Sequence, residues 1–166
     1  MNSINRKSEF VRQADHHLLQ EREHDPYHSR AKLKEPTVCP ECNAVFHKGR
    51  WVWSAIPDNA HANLCPACHR IHDKVPAGFL TISGSFHLQH KDEINSLIHN
   101  IEEREKSEHP LKRIMGMEMQ DGDLVYSFTD SHLARDIGDA LHHAYQGELN
   151  YQYTDGDIML RVSWKR

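Results

Sequence analysis

Two Cys-x-x-Cys pairs in the first half of this 166-residue chain, and two amphipathic helical stripes each followed by an alternating hairpin in the second half, predict an α+β fold. The expected architecture is a four-cysteine zinc ribbon over 37–78 and an αββαββ domain over 87–166. In that domain a four-stranded antiparallel sheet carries both helices on one face. A polar arm, 1–36, precedes them. A chain of this length has room for one ordinary domain and a small module.

In the arm the apolar points are sparse, chiefly Phe10, Val11, Leu18 and Leu19. Positions 11, 15, 18, 19 and 22 would share one helical face, but Pro26 and Pro36 interrupt the pattern beyond it. Such a segment has no core of its own, so it is expected to be disordered or to order on a partner. Arg30, Lys32 and Lys34 give it a basic end.

All four cysteines fall in Cys39-Pro-Glu-Cys42 and Cys65-Pro-Ala-Cys68. In a Cys-x-x-Cys knuckle the second thiolate returns to the side of the first, so each pair offers half a tetrahedron. Two knuckles on facing hairpins would close a four-thiolate zinc site. Two redox pairs or two disulfides are the alternatives, but a redox pair opens a helix in a βαβ unit and has no need of a twin. Four thiolates leave no coordination position for water, so Zn2+ here is expected to be structural rather than catalytic. His47, His61, His69 and His72 lie near the knuckles and are read as surface or supporting groups. Between the knuckles, 44–53 reads as a hairpin turning at Lys48-Gly49, with Trp51 and Trp53 on one face and Val52 on the other. The module has little apolar mass, so the metal must hold it together.

The stretch Phe79 to Ile82 carries no firm assignment beyond a possible short linking strand. Ile94, Leu97, Ile98 and Ile101 then make a helical stripe, placing a helix over 90–107 and ending it before Pro110. Two alternating runs, 114–119 and 124–128, meet at Asp121-Gly122 and form a hairpin. Thr129, Asp130 and Ser131 are N-cap candidates for a second helix with the stripe Leu133, Ile137, Ala140, Leu141 and Ala144 and a natural C-cap at Gly147. A second hairpin comes next, 149–153 and 158–164, turning at Asp155-Gly156. The repeated helix-hairpin order suggests a duplicated αββ unit. In the last strand Ile158, Leu160, Val162 and Trp164 should face the helices, and Met159, Arg161 and Ser163 should face outward.

The formal net charge is −4, which advertises no nucleic-acid partner, but the distribution is uneven. Residues 1–80 hold eleven Lys and Arg against nine Asp and Glu, a net +2; residues 81–166 hold nine against fifteen, a net −6. Lys48, Arg50, Trp51 and Arg70 place positive charge and an aromatic ring on the metal module, a combination suited to phosphate and an unpaired base. For Trp51 and Trp53 themselves, a place in the module's thin core is the favoured reading over base stacking. Asp130, Asp136 and Asp139 read as a solvated helix face. No Walker loop, dinucleotide fingerprint or nucleophile elbow is present, and no enzymatic activity is expected. The first residues lack an apolar signal core, and no run of about 18 apolar residues offers a membrane span. Zinc-spaced thiols without an export signal suit a reducing, cytoplasmic setting.

The two knuckles, together with 129–141, Gly147-Glu148-Leu149 and Arg161-Val162-Ser163-Trp164, resemble the ribosomal large-subunit export adaptor family of the nonsense-mediated-decay type. Small bacterial zinc-ribbon relatives with the same ribbon-plus-αβ layout are more similar still. The resemblance covers about 37–166 and implies an RNA-associated zinc module docking on the large ribosomal subunit. The adaptor family carries more cysteine pairs, barrel-like domains and an export tail, so a transport role does not carry over. The expected function is therefore a non-enzymatic cytoplasmic zinc-binding factor that associates with RNA or the ribosome. Arg30, Lys32, Lys34, Lys48, Arg50, Trp51 and Arg70 would touch RNA, and the acidic C-terminal domain would touch ribosomal or other protein. Two alternatives stay open: a protein–protein adaptor whose ribbon is only a folding staple, and a metal- or redox-responsive regulator.

Overall fold

The computed structural model describes residues 26–27, 32–153 and 159–166. Four short strands, Thr37–Val38 (β1), Val45–His47 (β2), Arg50–Val52 (β3) and His61–Ala62 (β4), form a first sheet in the order β3-β2-β1-β4. The β2–β3 hairpin turns at Lys48-Gly49 as expected, both residues taking positive φ (50° and 77°). That geometry matches the strand twist and favours glycine at the second position. β3 ends at Val52, so Trp53 leaves the sheet rather than sharing a strand face with Trp51. The chain then enters an eight-residue helix, Pro66–Asp73 (α1), with proline in its first turn and Lys74 in the left-handed conformation as its cap.

The second half runs Gly78–Ser83 (β5), Phe86–Gln89 (α2), Lys91–Glu108 (α3), Ile114–Gln120 (β6), Asp123–Phe128 (β7), Ser131–Tyr145 (α4), Glu148–Tyr153 (β8) and Leu160–Lys165 (β9). Its sheet has five strands, not four, in the order β6-β7-β5-β9-β8. The stretch expected at most to be a linking strand is the central one, β5, antiparallel to β7 and parallel to β9. The two helix-hairpin units flank it symmetrically, each giving an outer and then an inner strand, in keeping with a duplicated unit. The two inner strands run in opposite directions, and β5 fills the gap between them.

Both long helices cover one face, as expected. Ile94, Ile98 and Ile101 of α3 and Leu133, Ile137 and Leu141 of α4 meet Leu80 and Ile82 of β5, Leu124, Tyr126 and Phe128 of β7, and Leu160, Val162 and Trp164 of β9 in one buried core. Arg161 and Ser163 face outward as the alternation requires. Asp130 is the N-cap of α4, its carboxylate accepting from the Leu133 N–H at 3.0 Å. The helix is capped at its other end by Gln146, one residue before Gly147, and Ala144 is exposed rather than in the stripe. At Gly138 a Cβ would stand 2.6 Å from Val162 Cγ1, so glycine lets α4 lie close on β9. The β6–β7 turn at Asp121-Gly122 forms as expected, with φ of 51° and 87°. The arm's expected helical face, Arg30, Ile158 and the turn at Asp155-Gly156 lie outside the described residues. Among the described residues no helix is long and apolar enough to cross a membrane.

Candidate metal centre

Each cysteine pair is shaped by its own local backbone. Cys39 and Cys42 bracket the bend between β1 and β2, where the Cys39 N–H donates to Ala44 O at 2.8 Å and the Asn43 N–H to Cys39 O at 2.9 Å. Asn43 takes a φ of 64°, the left-handed conformation, where the chain turns from the knuckle into β2. The second pair departs from the expected ribbon. Cys65 is the N-cap of α1, and its Sγ accepts from the Cys68 N–H at 3.3 Å, so this half of the site sits on a helix start and not on a hairpin. A helix N-terminus presents free N–H groups and the positive end of its dipole, both of which favour thiolate.

The four Sγ atoms lie within 4.8 Å of one another, and Cys42 and Cys65 Sγ are 3.7 Å apart. Four thiolates at about 2.3 Å from a tetrahedral ion would be about 3.8 Å apart. The sulfurs are thus spaced to hold a metal ion, and none of the four is in a disulfide. Cys39, Cys65 and Cys68 are buried. Burial alone would raise the Cys39 thiol, but N–H groups of Cys65, Cys42 and Glu41 donating to it outweigh that and bring it to about 7. Burial, together with the charge of the neighbouring sulfurs, pushes Cys65 up. For Cys68, burial wins over the opposing pull of Arg113 and it also rises.

Arg113, which the sequence did not single out, completes the site. Only 8% exposed, it donates from Nη1 to Cys68 Sγ at 3.2 Å and from Nη2 to Cys42 Sγ at 3.1 Å and Cys65 Sγ at 3.5 Å. Its Nε donates to Pro110 O at 2.7 Å, and its backbone N–H to Thr129 Oγ1 at 2.9 Å. Burial works against its charge, but the hydrogen bonds to Cys68 and Cys42 more than compensate and hold the guanidinium protonated. Arg113 stands 45 and 71 residues along the chain from Cys68 and Cys42, so no local spacing could signal it. Leu111 packs on the same thiols, and Trp53 Nε1 donates to Lys106 O of α3 at 2.6 Å. These contacts join the metal module to the αβ domain.

The other candidates divide. Lys32, Lys34, Lys48 and Arg50 are exposed, whereas Trp51 is half-buried against the thiol cluster and tilted on Phe46, with ring centroids 5.5 Å apart. Arg70 departs from expectation: it is only 5% exposed, its Nη1 donates to Val75 O at 3.2 Å and its guanidinium lies 4.4 Å from the Tyr27 ring centre, so it is not presented to a phosphate. Lys32, Arg50 and Trp51 line one cleft of about 810 Å³ between the metal module and residues 109–112. The carboxylates read as a solvated face include the exposed Asp139 and the partly exposed Asp136, and each also makes a structural contact. Asp130 caps α4, Asp136 lies 3.7 Å from Lys112 Nζ, and Asp139 accepts from the Tyr151 hydroxyl. Compared with models of protein families, with curated proteins and with solved structures, the chain matches none of them.

Proposed function

We propose that this chain is a non-enzymatic zinc-binding factor that associates with RNA or with the large ribosomal subunit. Its four-thiolate centre is a staple rather than a reaction site. Cys39, Cys42, Cys65 and Cys68 would fill the four positions of a tetrahedral Zn2+ and leave none for water or substrate. Zinc, when bound, supplies a cross-link between the first knuckle and the start of α1. The observation that carries the RNA reading is the hairpin itself. Lys48 and Arg50 stand exposed with no carboxylate partner among the described residues, on a rigid turn whose third side chain, Trp51, is anchored on the thiol cluster. Glu35 accepts from the backbone N–H groups of Lys48 and Gly49 at 2.8 and 3.0 Å, fixing the turn without neutralising the side chains. The acidic αβ domain would then face ribosomal protein, since a net −6 over residues 81–166 repels bare phosphate.

The test is the affinity of purified protein for single-stranded RNA across a salt series, read by fluorescence anisotropy. Log affinity should fall with log salt by about 0.7 for each phosphate contacted. Replacing Lys48 and Arg50 together by Glu should abolish binding at physiological salt while metal content stays unchanged. In cell lysate the protein should sediment with the large subunit at low salt and leave it at high salt. A second reading, a protein adaptor, draws on β6 and β8, the edge strands of the sheet among the described residues, with Met117 and Met119 exposed on the first. Absence of any salt-dependent RNA binding would turn the assignment to that reading.

A further inference from the structure

We infer that the cleft between the metal module and residues 109–112 is a binding site for one unpaired nucleotide, an aromatic base carrying a phosphate. The inference rests on the RNA reading above and adds to it the place and chemistry of recognition. The cleft, at about 810 Å³, falls within the range of roughly 300–1,000 Å³ typical of small-ligand sites. One wall is aromatic: Trp51 and Phe46, with their rings inclined at 58°. Trp51 is held from behind by its contact with the thiol cluster, so little side-chain freedom remains to be lost when a base stacks on it. Leu111 brings apolar surface from the αβ side, again against the thiol cluster.

Charge places the phosphate. Arg50 and Lys32 line the cleft, are exposed, and have no carboxylate partner among the described residues. Lys112 lines it too, but is already held by Glu105 at 2.8 Å and Asp136 at 3.7 Å. Asp130 is the carboxylate in the lining, and it is engaged by the first turn of α4. Arg50 comes directly after the hairpin turn, as the first residue of β3, paired with His47 at the end of β2 remote from the Cys39–Cys42 knuckle. A ring face and a guanidinium lining one cleft suit a base and its phosphate. An acidic peptide would use the cations and leave the ring face idle. A nucleotide within single-stranded RNA and a free mononucleotide offer the same chemistry.

The experiment compares a short labelled single-stranded RNA, the same RNA with abasic positions, and uridine monophosphate as competitor, all at matched low salt with the intact chain. The abasic RNA should bind on the order of ten-fold more weakly, and Trp51→Ala should erase the difference between the two RNAs. Metal content is measured on the variant; if Trp51→Ala has lost its metal, Arg50→Glu combined with Lys32→Glu serves instead, and should weaken the intact RNA at least ten-fold with metal retained. Competition by the mononucleotide at concentrations similar to the RNA would assign the cleft to free nucleotide; competition by RNA alone would assign it to a nucleotide within a strand. Abasic and intact RNA binding equally would overturn the cleft site while leaving the RNA reading in place. Failure of every nucleic acid and nucleotide to bind would sink both.

Discussion

A guanidinium held against three sulfur atoms out of water is costly unless those sulfurs carry charge. At Arg113 the cost is offset twice: by hydrogen bonds to Cys68, Cys42 and Cys65, and by the Pro110 carbonyl that takes the remaining Nε proton. The forked geometry matters, because two terminal nitrogens must reach different sulfurs while the third points the other way. Arg113→Gln should therefore destabilise the protein by about 3 kcal/mol, read from the denaturation midpoint, and should speed metal loss to a chelator. Arg113→Lys should recover only part of this, since one ammonium cannot span the same contacts. A glutamine variant with unaltered stability and metal retention would show that Arg113 adds nothing to the centre. Trp51 illustrates the same economy of position. Expected first as a core residue, it rests on the thiol cluster and also lines the cleft.

Among elements, the segment between α3 and β6 does most to join the two halves of the chain. Lys112, one residue before Arg113, reaches Glu105 near the end of α3 at 2.8 Å and Asp136 of α4 at 3.7 Å. The Lys112 hydrogen bond holds the Glu105 carboxyl below its ordinary 4.5, against the opposing effect of burial. A carboxyl depressed in the folded state contributes stability above the unfolded value, and that contribution is lost as pH falls through the folded value. Burial opposes the Lys112 charge, yet Glu105 raises it above 10.5, so its share is present below that pH and lost above. Wild type and Glu105→Gln should accordingly differ by about 1 kcal/mol near neutrality and converge well below pH 4.5, in denaturation measured across pH. A constant difference down to the most acid pH would break the assignment. Because both proteins share the thiol centre, acid loss of metal cancels in the comparison.

At the scale of the whole molecule, the features legible in the sequence are those written locally. The knuckle cysteines, the Lys48-Gly49 and Asp121-Gly122 turns, the α3 and α4 stripes and the alternation of β9 each depend on residues a few positions apart. The missing pieces depend on partners far along the chain. β5 resembles an isolated short run, and only the hairpins that close on either side, with β9 pairing 82 residues later (Ser83 with Lys165), make it central. Likewise α1 was hidden by the expectation that a second knuckle rides on a hairpin, although Pro66 directly after a capping Cys65 is a helix-start pattern. Arg70 looked available as a basic residue just after the second cysteine pair; Tyr27, 43 residues earlier, lies against it. The buried apolar side chains of the metal module are small: Cys39, Ala44, Val45, Cys65, Ala67, Cys68 and Ala77, with Trp51, Leu64 and Leu111 partly buried beside the thiols. Such a module has too little apolar surface to fold on packing alone, so its hairpin, its cleft wall and its seat on the αβ domain should all depend on the ion. The direct measurement is native mass spectrometry of the intact chain with metal analysis, before and after chelation. It should find one Zn2+ per chain, held by four thiols that resist alkylation until the metal is stripped, with loss of the module's tertiary signal on stripping. A metal-free chain that keeps its tertiary structure and has four freely reactive thiols would contradict it.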